Sequence, residues 1–132
     1  MLTILLVDDE RLVRRSLEKT LVRAGFDVLT AEDCPSGLET FRQAAAEGSP
    51  IQLAVLDLNM PNFEGQPAPG AGLDLLSKLR EQDPHLKVIV LTAYDEINKA
   101  KDAVQRGASA YFVKGREKGL VELIHELTAQ EA

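Results

Sequence analysis

Short runs rich in aliphatic and β-branched residues recur along the chain at Thr3–Val7, Phe26–Ala31, Gln52–Asp57, Lys87–Leu91 and Ser109–Val113, and a segment of helix length follows each. That alternation suits a parallel sheet, because neighbouring parallel strands need a long crossover, usually a helix, to bring the chain back to the starting edge. The runs ending at Val7, Asp57 and Leu91 are almost continuously apolar, as strands covered on both faces should be. The Phe26 run alternates more and suits a sheet edge.

The intervening segments carry helical spacing. Val13, Leu17, Leu21 and Ala24 mark a first helix that should end at Gly25, a residue suited to a left-handed C-cap. A second runs from about Pro35 to Glu47 before Gly48, and a third carries Leu73, Leu76 and Leu79 before Asp83-Pro84, where proline stops it. Leu120, Leu123, Ile124 and Leu127 make a clear buried stripe on the last. The fourth, about Glu96 to Arg106, offers only Ile97, Ala100, Ala103 and Val104, so it should be the least firmly packed. Right-handed crossovers then favour a flavodoxin-like, doubly wound α/β fold, (βα)5 with a five-stranded parallel sheet in the order 2-1-3-4-5, residues 1–132 forming one domain.

Composition narrows the function. A net charge of -6 with no Lys/Arg cluster disfavours direct nucleic-acid binding. The apolar run Leu2 to Val7 is too short to span a bilayer and lacks a basic segment before it, so no membrane association is expected and the cytoplasm is the expected location. The lone Cys34 cannot form an internal disulfide and reads as a small packing residue. The Pro- and Gly-rich stretch Gly65–Gly72 reads first as a tolerated surface insertion, though its place after the third strand keeps a functional role open.

In this topology Asp8, Asp9, Asp57, Thr92 and Lys114 all follow or end strands on one rim, the edge where such sheets bind ligands. Singly, Asp9 could cap the first helix, Thr92 could be a turn hydroxyl, and Lys114 could be a solvated charge. Together they need another explanation. Converging carboxylates repel one another and raise each other's proton affinity unless a cation joins them. A hard divalent ion, Mg²⁺ or Mn²⁺, suits an all-oxygen cluster with no histidine, and His85 and His125 lie elsewhere. An ammonium and a hydroxyl beside it suit an arriving phosphoryl group, and Asp57, at a central strand end before a turn, is the candidate acceptor.

Val7-Asp8-Asp9-Glu10, Asp57-Leu58-Asn59-Met60-Pro61, Leu91-Thr92-Ala93 and Tyr111-Phe112-Val113-Lys114 resemble, in order and spacing, the motif blocks of bacterial response-regulator receiver domains. The resemblance implies that Asp57 is the phosphoacceptor, Asp9 a direct metal ligand, Asp8 its partner through water or hydrogen bonds, and the Asn59 backbone carbonyl a third ligand. It implies that Lys114 contacts a phosphoryl oxygen, that Ala93 leaves its backbone N–H open to one, and that Thr92 and Tyr111 form the switch pair. Asn59 and Tyr94 would tune hydrolysis. The implied partners are a sensor histidine kinase or histidine phosphotransfer protein, and an output domain or downstream protein met by the fourth helix, fifth strand and fifth helix. A phosphorylation-dependent dimer is also allowed.

Two departures stand out. Gly115 follows Lys114 where the family usually has proline, often after a cis bond; a cis peptide before glycine costs about 3 kcal/mol, so trans is expected. The Gly65–Gly72 loop is longer than usual and could shield Asp57 or meet a partner. These departures motivate an alternative, a receiver used as a binding module independent of phosphorylation. An aspartyl-nucleophile phosphatase of the haloacid dehalogenase kind fits less well, because it needs its nucleophile after the first strand and a second acid two residues on. A flavin-binding relative would need a Ser/Thr-rich phosphate loop after the first strand, where Asp8 and Asp9 stand.

Overall fold

The computed structural model describes residues 2–68, 70–115 and 117–129, with the side chains of Pro67, Tyr94 and Glu117 outside that set. Strands β1 (Thr3–Val7), β2 (Asp27–Ala31), β3 (Leu53–Asp57), β6 (Lys87–Thr92) and β7 (Ala110–Val113) form one parallel sheet in the order β2-β1-β3-β6-β7. This is the expected order once two short strands are passed over, β4 (Met60–Pro61) and β5 (Pro67–Ala68), which pair with each other. Helices α1 (Arg11–Arg23), α2 (Cys34–Ala46), α3 (Ala71–Gln82), α4 (Ile97–Gln105) and α5 (Glu117–Ala129) connect the strands, and a single 3-10 turn, Tyr94–Glu96, leads into α4.

Alternation along each strand sends side chains to two separate cores. Leu5, Val7, Ala54, Leu56, Val88 and Val90 face the α2–α3 side, where Phe41, Leu75 and Leu79 meet them. Ile4, Leu6, Val55, Ile89 and Leu91 face α1 and α5, against Leu17, Leu21, Leu120, Ile124 and Leu127. Each fully buried aliphatic side chain adds about 1.5–3 kcal/mol of transfer free energy, so this two-faced burial holds the middle strands rigidly. The edge strand β2 instead leaves Leu29 exposed, as its alternating pattern implies.

Local chemistry sets the helix ends. Asp33 accepts the Ser36 N–H at 2.9 Å while the Ser36 hydroxyl accepts the Asp33 N–H at 3.3 Å, a reciprocal capping box opening α2. Just inside it the Cys34 thiol is fully buried and donates to the Ala71 carbonyl, and burial pushes its pKa up to about 12. It packs, as its sequence context suggests. His125 packs against Phe26 with the rings tilted and their centroids 5.4 Å apart, and His85 stands exposed on the turn before β6.

Helix α4 differs from expectation in detail. Ala100 and Ala103 are buried, but Val104, assigned to the apolar face, is exposed, so the helix is seated by two methyl groups and a half-buried Ile97. The Gly65–Gly72 segment also differs from a plain insertion. Met60 pairs with Ala68 and Pro61 with Pro67, and the Asn62 side chain accepts the Glu64 and Gln66 N–H groups at 3.0 Å, folding the added residues into a hairpin. Pro69 lies outside the described residues.

Candidate metal and phosphoryl site

Register brings the acids together. Val7 pairs with Leu56, and Asp57 with Leu91, so Asp8, one residue beyond β1, lies beside Asp57 at the end of β3. The chain turns from β1 toward β2 on one side and β3 on the other, which opens the crevice between the two strand ends. Thr92 closes β6, and Lys114 follows β7 with its N–H donating to the Thr92 carbonyl at 2.9 Å. All the residues singled out on the rim are therefore neighbours.

Burial separates this cluster from a solvated acidic patch. Among the described residues the buried polar or charged ones are Asp8 at 0%, Thr92 at 1% and Asp57 at 4% exposure, and all three lie here. Folding rarely buries such groups without a compensating partner. Asp9 stands exposed at the rim, and one carboxylate oxygen from each of Asp8, Asp9 and Asp57 falls within 4.8 Å of the others. Lys114 Nζ lies 3.2 Å from Asp8 Oδ2, 3.2 Å from Asp57 Oδ2 and 3.1 Å from Glu10 Oε1.

One ammonium does not balance this much buried negative charge. Burial, and then the Asp8 charge, push the Asp57 carboxyl up to about 7, although Lys114 and the Asn59 N–H pull the other way. Asp8 is raised too, again chiefly by burial, against the Glu10 N–H and Lys114. Sequence reasoning attributed the raised affinity to mutual repulsion; desolvation is the larger cause. Burial disfavours the Lys114 charge, but Asp57 and Asp8 outweigh it and hold the ammonium protonated above its usual range.

The donor set fits a hard divalent cation. Asp8 Oδ2 is buried without hydrogen-bond geometry to any partner, and the three converging carboxylates supply oxygen only. Asp9 does not cap α1: Glu10 is the N-cap and makes no side-chain cap bond, so the capping alternative falls away. The Thr92 hydroxyl donates to the Ala93 carbonyl at 3.1 Å, a local turn contact at the end of β6. Ala93 is exposed beside it, and Tyr111 is half-buried on β7 opposite Val90.

Asn59 holds two segments at once. Its side-chain N–H donates to the Glu96 carboxylate and its Oδ1 accepts the Gly70 N–H at 3.0 Å, joining the loop before α3 to the turn before α4. Sequence reasoning missed Glu96, Glu10 and Gly72, the last of which donates its N–H to the Leu58 carbonyl at 3.0 Å. Glu10 sat inside a quoted motif without a role, while the contacts of Glu96 and Gly72 cross the chain and leave no local pattern.

A family model described as the response regulator receiver domain matches residues 4–125. The chain belongs to the response-regulator receiver family. As a receiver it is similar to the response regulator protein FleR of Pseudomonas aeruginosa, 31% identical over 122 residues that cover 92% of this chain and 23% of that protein. The photosynthetic apparatus regulatory protein RegA of Cereibacter sphaeroides is 34% identical over 128 residues, 97% of this chain and 62% of RegA. The receiver thus spans less than two thirds of these curated relatives. A response regulator receiver domain from Clostridium thermocellum superposes with a TM-score of 0.84 at 27% identity, covering 99% of this chain and 97% of that one. The receiver domain of NtrX from Brucella abortus does so at 0.79 and 28%, covering 98% and 99%.

The receiver's departure after Lys114 has a geometric basis. Among the described residues every peptide bond is trans, and Gly115 takes φ 102, where L side chains are strained and proline, fixed near -65°, cannot follow. The turn is built differently yet still delivers Lys114 to Asp57. Installing the family's usual residue by Gly115→Pro is therefore expected to destabilise this receiver by about 2–3 kcal/mol, read by urea unfolding. Unchanged or increased stability would mean that the turn accepts the proline geometry.

Proposed function

We propose that this receiver is a phosphorylation switch of a two-component system, residues 1–132 acting as one unit, with Asp57 as the phosphoacceptor. A sensor histidine kinase or histidine phosphotransfer protein supplies the group. The Asp57 carboxylate attacks the phosphorus of a phosphohistidine; the P–N bond breaks as the O–P bond forms, and the imidazole leaves, taking up a proton. The single observation supporting this most is Asp57 itself, buried yet 3.2 Å from Lys114 and clustered with Asp8 and Asp9.

Asp8, Asp9, Asp57 and the Asn59 carbonyl would hold Mg²⁺ or Mn²⁺, which offsets carboxylate and phosphoryl charge when bound. Lys114 moves its charge from the Asp57 oxygen to the incoming phosphoryl oxygens. The Ala93 backbone N–H and the Thr92 hydroxyl supply hydrogen bonds once the Thr92 hydroxyl leaves the Ala93 carbonyl. Tyr111 follows Thr92 inward. Asn59 and Tyr94 tune hydrolysis. Helix α4, seated by two alanines, then shifts with β7 and α5 to address an output domain or downstream protein, or a second receiver.

Incubation with acetyl phosphate tests the reading. An intact-mass gain of one phosphoryl group is expected with Mg²⁺ and is lost with excess chelator. No gain in either condition would contradict it, and unaltered shape and partner binding after treatment with a phosphoryl mimic would favour the phosphorylation-independent module. The cytoplasm is the proposed location; among the described residues no helix is long and apolar enough to cross a membrane.

A docking place for the donor is supported by the surface beside Lys114. A groove of about 260 Å³ lined by Leu12, Val13, Ser16 and Phe112 reaches Lys114, and Leu12 is 83% exposed on its wall. Leu12→Asp is expected to slow transfer from the phosphohistidine donor at least tenfold while leaving labelling by acetyl phosphate intact, because a charge in an apolar contact costs more than about 1.4 kcal/mol. Equal transfer rates would place the donor elsewhere.

A further inference from the structure

We infer that Glu10 is a positioning residue, which holds the Lys114 ammonium at the rim of the site so that Asp8 and Asp57 are released to take a cation. The inference rests on the phosphotransfer reading for its purpose and on contacts of this chain for its substance.

Lys114 faces three carboxylates, and two of them, on Asp8 and Asp57, belong to the cluster that would bind the metal. The same oxygens cannot serve an ammonium and a divalent cation fully at once. Glu10 lies outside that cluster. Its carboxylate accepts a hydrogen bond from Lys114 Nζ at 3.1 Å, whereas Asp8 Oδ2, at 3.2 Å, lacks hydrogen-bond geometry. Of the three carboxylates around the ammonium, Glu10 is thus the one that it need not surrender to a metal, while Asp57 Oδ2 and Asp8 Oδ2 stand equally near at 3.2 Å.

An ion pair on so exposed an acid would ordinarily wander, since the Glu10 side chain is 61% exposed. Here its backbone is fixed. The Glu10 N–H donates to Asp8 Oδ1 at 2.9 Å, its carbonyl accepts from the Arg14 N–H at 2.9 Å, and the Arg14 guanidinium donates to the Asp8 carbonyl at 2.8 Å. The turn between β1 and α1 therefore aims Glu10 at a lysine whose side chain is only 18% exposed. Lys114 needs such an anchor, because the Gly115 that follows it has no ring to stiffen the turn.

The test is a double-mutant cycle on Mg²⁺ affinity, measured by isothermal titration with Glu10→Gln, Lys114→Met and the pair. With Lys114 present, Glu10→Gln lets the ammonium settle on Asp8 and Asp57, and Mg²⁺ binding is expected to weaken about fivefold. In the Lys114→Met background the same change is expected to cost less, about twofold, leaving only the direct loss of one solvent-exposed negative charge at the rim. Glu10→Asp should restore part of the affinity. Equal losses in both backgrounds would overturn the inference, since Glu10 would then be one more negative charge near the metal. Urea unfolding of each variant guards against a folding defect, and a coupling that vanished while stability held would overturn it likewise. Phosphorylation is read separately by intact mass: an unlabelled parent protein with the coupling intact would sink the phosphotransfer reading and still support Glu10 as the anchor.

Discussion

Asp57→Asn is expected to abolish phosphoryl uptake and also to stabilise the metal-free protein by about 1–3 kcal/mol above neutral pH, two effects of removing one buried charge. The carboxyl is moved from its ordinary 3.8 to about 7 on folding. Between those values the folded chain keeps a proton that the unfolded chain has released, so stability falls as pH rises through that window. Above it the whole penalty is present. Asp8, also raised, shares this titration with Asp57, and the two behave as a pair. The amide of asparagine does not titrate and keeps the shape. Urea unfolding without metal, at roughly pH 5 and pH 8, should show the parent protein weakening between the two and Asp57→Asn weakening less. Equal slopes would mean that the charge at Asp57 is not the source of strain. Saturating Mg²⁺ should narrow the gap, because it binds the folded parent more tightly than the variant.

Gly72→Ala is expected to be the most damaging change among residues that touch no phosphoryl group. A Cβ there would fall 2.3 Å from the Asp57 carbonyl oxygen and 3.0 Å from the Leu58 Cα, both backbone atoms at the very end of β3. The Gly72 N–H also donates to the Leu58 carbonyl at 3.0 Å, so the first turn of α3 is seated on the strand that carries Asp57. Relief requires α3 or the β3 end to move. The expected loss is about 3 kcal/mol by urea unfolding, with weaker Mg²⁺ binding as the carboxylate is displaced. An alanine variant as stable as the parent would show that α3 need not approach so closely.

How much of this was legible beforehand depended on whether the signal was local. The strands at Thr3–Val7, Leu53–Asp57 and Lys87–Thr92 could be read because burial on both faces forces continuous apolar runs, and their order followed from crossover handedness. The rim of Asp8, Asp9, Asp57, Thr92 and Lys114 then followed from topology, since strand ends in such a sheet share one edge. Contacts made across the chain were not readable. Asn59 reaching Glu96 and Gly70, and Gly72 lying against Asp57, depend on how α3 and α4 settle rather than on any spacing. The hairpin over 60–68 was missed for a different reason: its pairing is only two residues deep on each side, too short for strand periodicity, and the Asn62 turn that pins it lies before the Gly/Pro stretch. Val104 looked like part of an apolar face but lies outside it, because α4 needs only small side chains to sit on the sheet.

Locating the phosphoryl group tests the central claim most directly. The parent protein, labelled by acetyl phosphate with Mg²⁺, is reduced with borohydride, which converts an aspartyl phosphate to homoserine, and then mapped by peptide mass spectrometry. Homoserine at position 57, and at no other acid, is the expected result. A reduced residue at Asp8 or Asp9, or the same map from Asp57→Asn, would contradict it.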